Sequence, residues 1–99
     1  MGQKVSEEEI YEAIGEVVDP ELGISVLELN LIEKIQIKED GTVEVTYHAT
    51  APFCPPIFAI EMSQDMKRRI ESLEGVKKAK IILTGHVLAD EINKQVNKD

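Results

Sequence analysis

The most reactive side chain of the sequence belongs to Cys54, the single cysteine of a 99-residue chain. Cys54 directly precedes Pro55 and Pro56, and proline is favoured at the first position of a helix. A thiol at that place faces unpaired backbone amides and the positive end of the helix dipole, and both favour the thiolate. The placement is compatible with a reactive or metal-binding thiol but does not by itself establish one. A passive role is the alternative, because cysteine is also a common small residue of protein cores.

No catalytic partner for this thiol is evident in the sequence. His48 falls on the polar face of a predicted strand, and His86 follows a glycine at a predicted helix start, where a capping role is expected. No Asp or Asn stands out as a group that would orient either histidine as a base, so we predict no enzyme. A single thiol also excludes an intrachain disulfide framework and a four-cysteine metal site.

A second group of candidate residues surrounds the Asp-Pro-Glu-Leu-Gly run at positions 19–23. The carboxylates of Asp19 and Glu21 are metal ligands or thiol neighbours if the fold brings them to Cys54. Asp-Pro with a following glycine is also ordinary turn chemistry, in which Asp19 caps a loop amide. Thr50 carries a hydroxyl at the end of a predicted strand. This hydroxyl can form a hydrogen bond with the backbone as readily as with a ligand.

The charge of the chain is distributed unevenly. The formal net charge is −8, and the eleven acidic and three basic residues of positions 1–40 account for all of it. Positions 41–99 carry eight residues of each sign. The acidic half is either a solvated face that aids solubility or a docking surface for a basic partner.

Composition and patterning exclude several partners. Nucleic-acid binding is not expected, because the basic residues lack aromatic stacking platforms and a glycine-rich clamp. No apolar run approaches the roughly 18 residues of a membrane helix, and no secretory signal pattern is visible at the N-terminus. We therefore expect a cytoplasmic protein that does not contact a membrane.

Apolar spacing and end signals predict three helices. A capping box at Ser6 and Glu9 begins the first, over about 6–18, which stops before Pro20. One apolar stripe predicts the second helix over about 57–74, and Gly75 ends it. A third helix is expected over about 86–97.

Three strands complete the predicted fold. An extended loop over 20–30 leads to a strand over 31–38, and a hairpin turn at Asp40-Gly41 leads to its partner over about 43–50. The third strand covers 76–83. The order helix, strand, strand, helix, strand, helix predicts one domain over 1–99. Its fold class is α+β, a small two-layer domain in which helices pack on one face of a three-stranded mixed sheet.

Two segments together resemble the MIP18 family, a former domain of unknown function that includes SUF-system and PaaD-like metal–sulfur cluster biosynthetic proteins. The first segment covers 17–24 and continues through Leu-Glu-Leu-Asn-Leu-Ile at 27–32. The second is Thr-Ala-Pro-Phe-Cys-Pro at 50–55, followed by a helix and by Glu-Gly-Val at 74–76. The similarity covers about 5–84, so the C-terminal helix lies outside it and is expected to cover an open sheet face or to mediate assembly.

The resemblance implies a part in iron–sulfur protein maturation, with transient iron or an iron–sulfur cluster as cargo. The implied partners are iron–sulfur assembly proteins, a P-loop carrier ATPase or the recipient apo-proteins. The characteristic Asp and Cys of the family match Asp19 and Cys54. Glu28 and Asn30 stand where the family usually has Asp and Gly; Glu28 keeps the charge, and Asn30 is expected to keep a left-handed turn.

The resulting hypothesis is a non-enzymatic assembly factor. Cys54, Asp19 and Glu21 are its candidate contacts to metal or cluster, and the supporting loop residues are Thr50, Pro55, Asn30 and Glu28. Because one thiol cannot hold a cluster alone, the mechanism needs a homodimer sharing two cysteines, ligands from a partner, or a role without ligation. The alternative is an interaction module whose acidic first helix docks the carrier ATPase or a recipient enzyme without binding metal.

Overall fold

Alternating apolar residues build a sheet of three strands, β1 (Ile32–Ile37), β2 (Thr42–His48) and β3 (Lys78–Thr84). The structure, a computed structural model, describes residues 5–20, 22–49 and 55–97. The strand order is β1-β2-β3, with β1 antiparallel to β2 and β2 parallel to β3. The predicted mixed sheet is confirmed, and the strand order that the sequence left open is a simple sequential one.

One face of this sheet is apolar. The residues that point to it from β2 and β3 are almost fully buried: Val43, Val45, Tyr47, Ala79, Ile81 and Leu83. The residues that alternate with them on β2 are polar and half-buried. A sheet with one packed and one solvated face is common where antiparallel pairing is present.

Three helices complete the domain: α1 (Glu7–Ile14), α2 (Pro56–Glu71) and α3 (Ala89–Val96). α2 is the crossover that parallel strands require between β2 and β3. Its buried residues recur at helical spacing and pack into the same core as the sheet: Ala59, Met62, Ser63, Met66 and Ile70. α1 in turn packs against α2. The predicted α+β class and the order of all six elements are therefore confirmed.

The first helix is shorter than the predicted range 6–18. It ends at Ile14, and Gly15 forms its C-terminal cap. Beyond it, the carbonyl of Val17 accepts a hydrogen bond from the amide of Val26 at 3.0 Å. Long-range backbone pairing thus replaces the last predicted turn, and apolar spacing within the helix carries no information about that pairing.

The remaining boundaries differ from the predicted ones by one to three residues. The predicted capping box is present, since the Ser6 hydroxyl accepts from the Glu9 amide and the Glu9 carboxylate accepts from the Ser6 amide. The predicted ranges 57–74, 76–83 and 86–97 correspond to α2, β3 and α3. Among the residues the structure describes, no helix is long and apolar enough to cross a membrane.

The C-terminal helix covers the free edge of β3. The Asn93 side-chain amide accepts from the Leu83 N–H at 2.7 Å and donates to the Leu83 carbonyl at 3.1 Å. Asn97 repeats this pattern on Ile81, at 3.0 Å and 2.8 Å. Two side-chain amides thus replace a neighbouring strand, and an uncovered edge would be a template for aggregation. The helix covers an edge of the sheet and not the face that the first expectation named; the alternative expectation, a role in assembly, stays a prediction.

Candidate functional site

Strands β2 and β3 end side by side, because they are parallel and His48 pairs with Thr84 in register. Leu31 joins the same place, since its carbonyl accepts from the His48 amide at 3.0 Å. We call this place, marked by Leu31, His48 and Thr84, the carboxyl end of the sheet.

The connection from β2 to α2 leaves from the carboxyl end and carries Cys54. Residues 50–54 lie outside the described part of the chain, and so does Glu21. The roles assigned to Cys54, Thr50 and Glu21, and the closeness of Asp19 to Cys54, therefore stay predictions. Along the sequence, Cys54 stands two positions before the first residue of α2.

The start of α2 lies close to its predicted position. Pro55 is the N-cap and Pro56 the first helical residue. The first turn contains no acidic residue, and no side-chain hydrogen bond from the described residues caps it. Acidic side chains near a helix N-terminus partly neutralise its dipole. No acidic side chain in the first turn therefore neutralises the positive end of the α2 dipole.

Asp19 closes the loop between α1 and β1. Its amide donates to the Ile24 carbonyl at 2.9 Å, and its carbonyl accepts from the Gly23 amide at 2.7 Å. Its side-chain Oδ1 accepts from the Leu22 amide at 3.3 Å, and only 2% of the residue is exposed. The loop-capping interpretation of Asp19 is thus observed. A carboxylate buried to this degree needs such donors, because isolated burial of a charge is costly.

Asn30 and Glu28 lie in the turn that brings the chain to the carboxyl end. Asn30 has a φ of 58°, the left-handed conformation expected from its place in the sequence. The following residue, Leu31, donates its amide to the Val26 carbonyl at 3.1 Å. Glu28 is exposed. Of the described supporting residues, Asn30 is thus next to Leu31 at the carboxyl end, and Pro55 begins the helix that follows the cysteine.

A groove of about 310 Å³ separates the Asp-Pro turn from α2. The turn contributes Val18 and Pro20, and α2 contributes a polar face: Glu61, Met62, Gln64, Asp65 and Arg68. Glu61 is six residues beyond Pro55, which is roughly 9 Å along a helix axis at 1.5 Å per residue. The described part of the Asp-Pro turn therefore borders the middle of α2.

Sequence reasoning missed a hydrogen-bonded cluster at the carboxyl end. Glu33 Oε2 lies 3.1 Å from His48 Nδ1 and 3.2 Å from Thr84 Oγ1. The cluster joins all three strands, and it depends on strand register, for which the sequence carries no local signal. Within the described ranges, no group of three or more His, Cys, Asp or Glu side chains is arranged to hold a metal ion.

The second histidine lies before α3 as predicted, but it does not cap that helix: Leu88 is the N-cap, and no side chain of the described residues caps it. His86 is 8% exposed, and its Nδ1 accepts from the Leu88 amide at 2.9 Å, immediately before α3. His86 and His48 thus differ in both exposure and hydrogen bonding.

Comparison with known proteins places these features in a family context. Residues 7–81 match the family described as iron-sulfur cluster assembly protein. An uncharacterised protein of Methanocaldococcus jannaschii is 33% identical over 95% of this chain and 97% of its own length. An Fe-S protein maturation auxiliary factor of Porphyromonas gingivalis is 42% identical over 80% of this chain and 73% of its own.

Two further comparisons concern a longer protein and a solved structure. An iron-sulfur cluster carrier protein of Mycobacterium tuberculosis is 29% identical over 90% of this chain, which spans 22% of that protein. The structure of a conserved hypothetical protein from Thermotoga maritima superposes with a TM-score of 0.73 and 36% identity, covering 85% of this chain and 80% of that one. Sequences similar to this chain thus occur both in proteins of comparable length and within a longer protein.

Proposed function

The chain belongs to the iron–sulfur cluster assembly protein family, and we propose that it assists the maturation of iron–sulfur proteins by passing iron or a cluster through a site at Cys54. The observation that carries the proposal is the family match over residues 7–81, which includes both Cys54 and Asp19. The iron or cluster is cargo and not a resident cofactor. The proposed factor is non-enzymatic and acts in the cytoplasm, where thiols stay reduced.

The thiolate of Cys54 is the proposed contact to iron. Its place before the N-terminus of α2 supports this role, because unpaired amides and the helix dipole lower the pKa of a thiol there. Asp19 and Glu21 are the proposed neighbours of the thiolate. The proposed supporting residues come from two segments, Glu28 and Asn30 before β1, and Thr50 and Pro55 between β2 and α2.

A single thiol suits a transfer factor. It leaves most coordination positions of the metal to a partner, to water, or to the cysteine of a second copy in a homodimer. A closed four-cysteine cage would retain its cargo. We therefore propose that the assembly machinery or the recipient apo-protein completes the ligand set during transfer.

Anaerobic reconstitution with iron and sulfide tests the thiolate contact. The wild-type chain is expected to gain visible absorption, and Cys54→Ser is expected to lose it. Lys38→Ala, a change at the opposite end of the sheet from the start of α2, serves as the control and should keep the wild-type absorption. Equal absorption in wild type and Cys54→Ser would show that the thiol is not a ligand.

A second candidate function is a docking module that binds no metal, and the groove beside the Asp-Pro turn favours it. Val18 is 47% exposed at the rim of that groove, and Glu61 supplies negative charge, whereas Asp65 is paired with Arg68 and Arg69 at 3.5 Å and 3.0 Å. The first forty residues carry the whole net charge of −8, and two of them, Val18 and Pro20, line the groove. A partner that fits this surface presents a basic and apolar segment.

Binding to an iron–sulfur cluster carrier protein separates the two functions. If docking is the function, Glu61→Lys is expected to weaken binding at least fivefold in calorimetry, and Cys54→Ser is expected to bind like wild type. Glu91→Lys on α3 is the matched control, since it makes the same charge change on another helix. Equal binding by Glu61→Lys and Glu91→Lys would exclude the groove as the docking surface.

A further inference from the structure

A β-bulge removes Glu33 from the regular alternation of β1. Ile32 pairs with Tyr47, whereas Lys34 pairs with Thr46, so β1 contains one residue more than its partner between these pairs. Glu33 is that residue. In a regular strand it would share the buried face with the apolar residues of β1, but its side chain is instead 44% exposed. Bulges that re-aim a side chain in this way are enriched next to functional sites.

The carboxylate of Glu33 forms hydrogen bonds with residues at the ends of both parallel strands, β2 and β3. Its Oε2 atom accepts from His48 Nδ1 at 3.1 Å on β2 and from Thr84 Oγ1 at 3.2 Å on β3. One oxygen is thus held between two donors from separate strands. The Thr84 hydroxyl is also 3.3 Å from the Tyr47 carbonyl, so its proton is shared, and the contact with His48 is the one that orients the imidazole ring.

The hydrogen bond with Glu33 determines which nitrogen of His48 is available. A carboxylate oxygen can only accept, so the proton lies on Nδ1 and the lone pair of the neutral ring lies on Nε2. Nε2 has no hydrogen-bond partner among the described residues, and the side chain is 42% exposed. His86 lacks this arrangement, because it is buried and its Nδ1 already accepts from a backbone amide.

We propose that His48 Nε2 is a metal contact for divalent iron at the carboxyl end, with Glu33 as its positioning residue. Imidazole suits the late first-row metals, and metal-binding histidines almost always donate their other N–H to a carboxylate or a carbonyl. The proposal rests on the proposed function for the identity of the metal, since iron is the cargo of such a factor. With one protein nitrogen and water in the other positions, the ion is held loosely and can be passed on.

An NMR titration of the full chain with Co²⁺, and separately with Zn²⁺, tests the contact without any cluster. Co²⁺ is expected to broaden the ring signals of His48 at concentrations at least tenfold lower than those of His86. Zn²⁺ is expected to shift the Nε2 resonance of His48 more than its Nδ1 resonance. Glu33→Gln is expected to raise the Co²⁺ concentration needed by about tenfold or more, as loss of such an outer partner usually does.

Two further variants make the outcome decisive. Glu44→Gln removes a carboxylate from the same face near the hairpin and is expected to leave the His48 response unchanged. Cys54→Ser is expected to keep the response, so that His48 is judged independently of the thiol.

Equal responses of His48 and His86, a wild-type response in Glu33→Gln, or loss of the response in Cys54→Ser would each overturn the proposal. If Cys54→Ser still gains cluster absorption while His48 binds Co²⁺, the thiol contact is wrong and the His48 contact stands.

Discussion

The two ends of the sheet differ in where their polar groups find partners. At the hairpin end, Lys38 Nζ donates to Glu44 at 2.8 Å and the Thr42 amide donates to Asp40 Oδ1 at 2.9 Å. The hydrogen bond from Lys38 lowers the pKa of Glu44, the bond from Thr42 lowers the pKa of Asp40, and the bond to Glu44 raises the pKa of Lys38. Each of these groups is satisfied by a residue a few positions away.

At the carboxyl end, the partners are distant in sequence and the apolar residues are exposed. Glu33 and Thr84 are 51 positions apart. Ile57 follows the cysteine connection and Val87 follows β3, and they are 55% and 60% exposed. Exposed apolar side chains beside polar groups are typical of surfaces that meet a partner. The comparison shows that the hairpin end is satisfied by local contacts, whereas the described part of the carboxyl end depends on contacts between distant segments.

The largest expected effect lies along β3, which connects both ends. Replacing Asn93 and Asn97 together by alanine is expected to lower the free energy of unfolding by about 2–4 kcal/mol, because four backbone groups of β3 lose their partners. Urea denaturation measures the change. Gln95→Ala, which removes an exposed amide from the same helix, is the matched control. Equal stability of the double variant and Gln95→Ala would show that the amide ladder does not support the sheet.

Tyr47→Phe tests the attachment of α2 to the carboxyl end. The Tyr47 hydroxyl is fully buried, donates to the Ala59 carbonyl at 3.1 Å and also pairs with the Ser63 hydroxyl. Its loss is expected to cost about 1–3 kcal/mol, since a buried polar partner is left unsatisfied. Amide exchange in the first turns of α2 should accelerate more than exchange in the hairpin. Tyr11→Phe, at a 39% exposed tyrosine, is the control, and uniform acceleration would contradict the local role.

Asn30→Ala tests the turn that leads into the carboxyl end. The φ of 58° at Asn30 is unfavourable for alanine, so a loss of about 1 kcal/mol is expected. Asn30→Gly is expected to match or exceed the stability of wild type, because glycine adopts this conformation readily. Thermal denaturation of both variants measures the difference. Equal loss in both would mean that the Asn30 side chain, and not its backbone conformation, matters.

The smallest effect is expected at the hairpin end, where the stability of the fold should depend on pH. The pKa values of Glu44 and Asp40 are lowered in the folded chain. Their contribution to the free energy of unfolding is therefore present above their usual pKa values of 4.5 and 3.8, and it is lost as pH falls through the pKa of the folded state. The pKa of Lys38 is raised, so its contribution to the free energy of unfolding is present below pH 10.5 and is lost as pH rises through the pKa of the folded state. Melting curves of Glu44→Gln should therefore show a flatter acid limb than wild type. A changed rate of Cys54 alkylation in Glu44→Gln would contradict the view that the hairpin end and the carboxyl end behave independently.

Local patterns account for what the sequence predicted correctly. The capping box at Ser6, the hairpin at Asp40-Gly41, the left-handed Asn30 and the helix start at Pro55 each depend on a few neighbouring residues. The α+β class and the element order follow from apolar periodicity in the same way. These features need no knowledge of which strands pair.

Long-range register accounts for what the sequence did not predict. The early end of α1, the amides of α3 on the edge of β3, and the bulge at Glu33 all arise from pairing between distant segments. Of the candidate site, the cap at Asp19 and the place of Pro55 could be predicted. The cluster of Glu33, His48 and Thr84 could not, because a shift of one residue in β1 would turn Glu33 to the other face.

Protection of Cys54 from alkylation tests the proposed contact between thiol and cargo most directly. Because Cys54 is the single cysteine, the rate of iodoacetamide modification reports on it alone. Anaerobic loading with iron and sulfide is expected to slow the reaction at least tenfold relative to the unloaded chain, and chelation of the iron should restore the rate. An unchanged rate in the loaded protein would contradict the contact between Cys54 and the cargo.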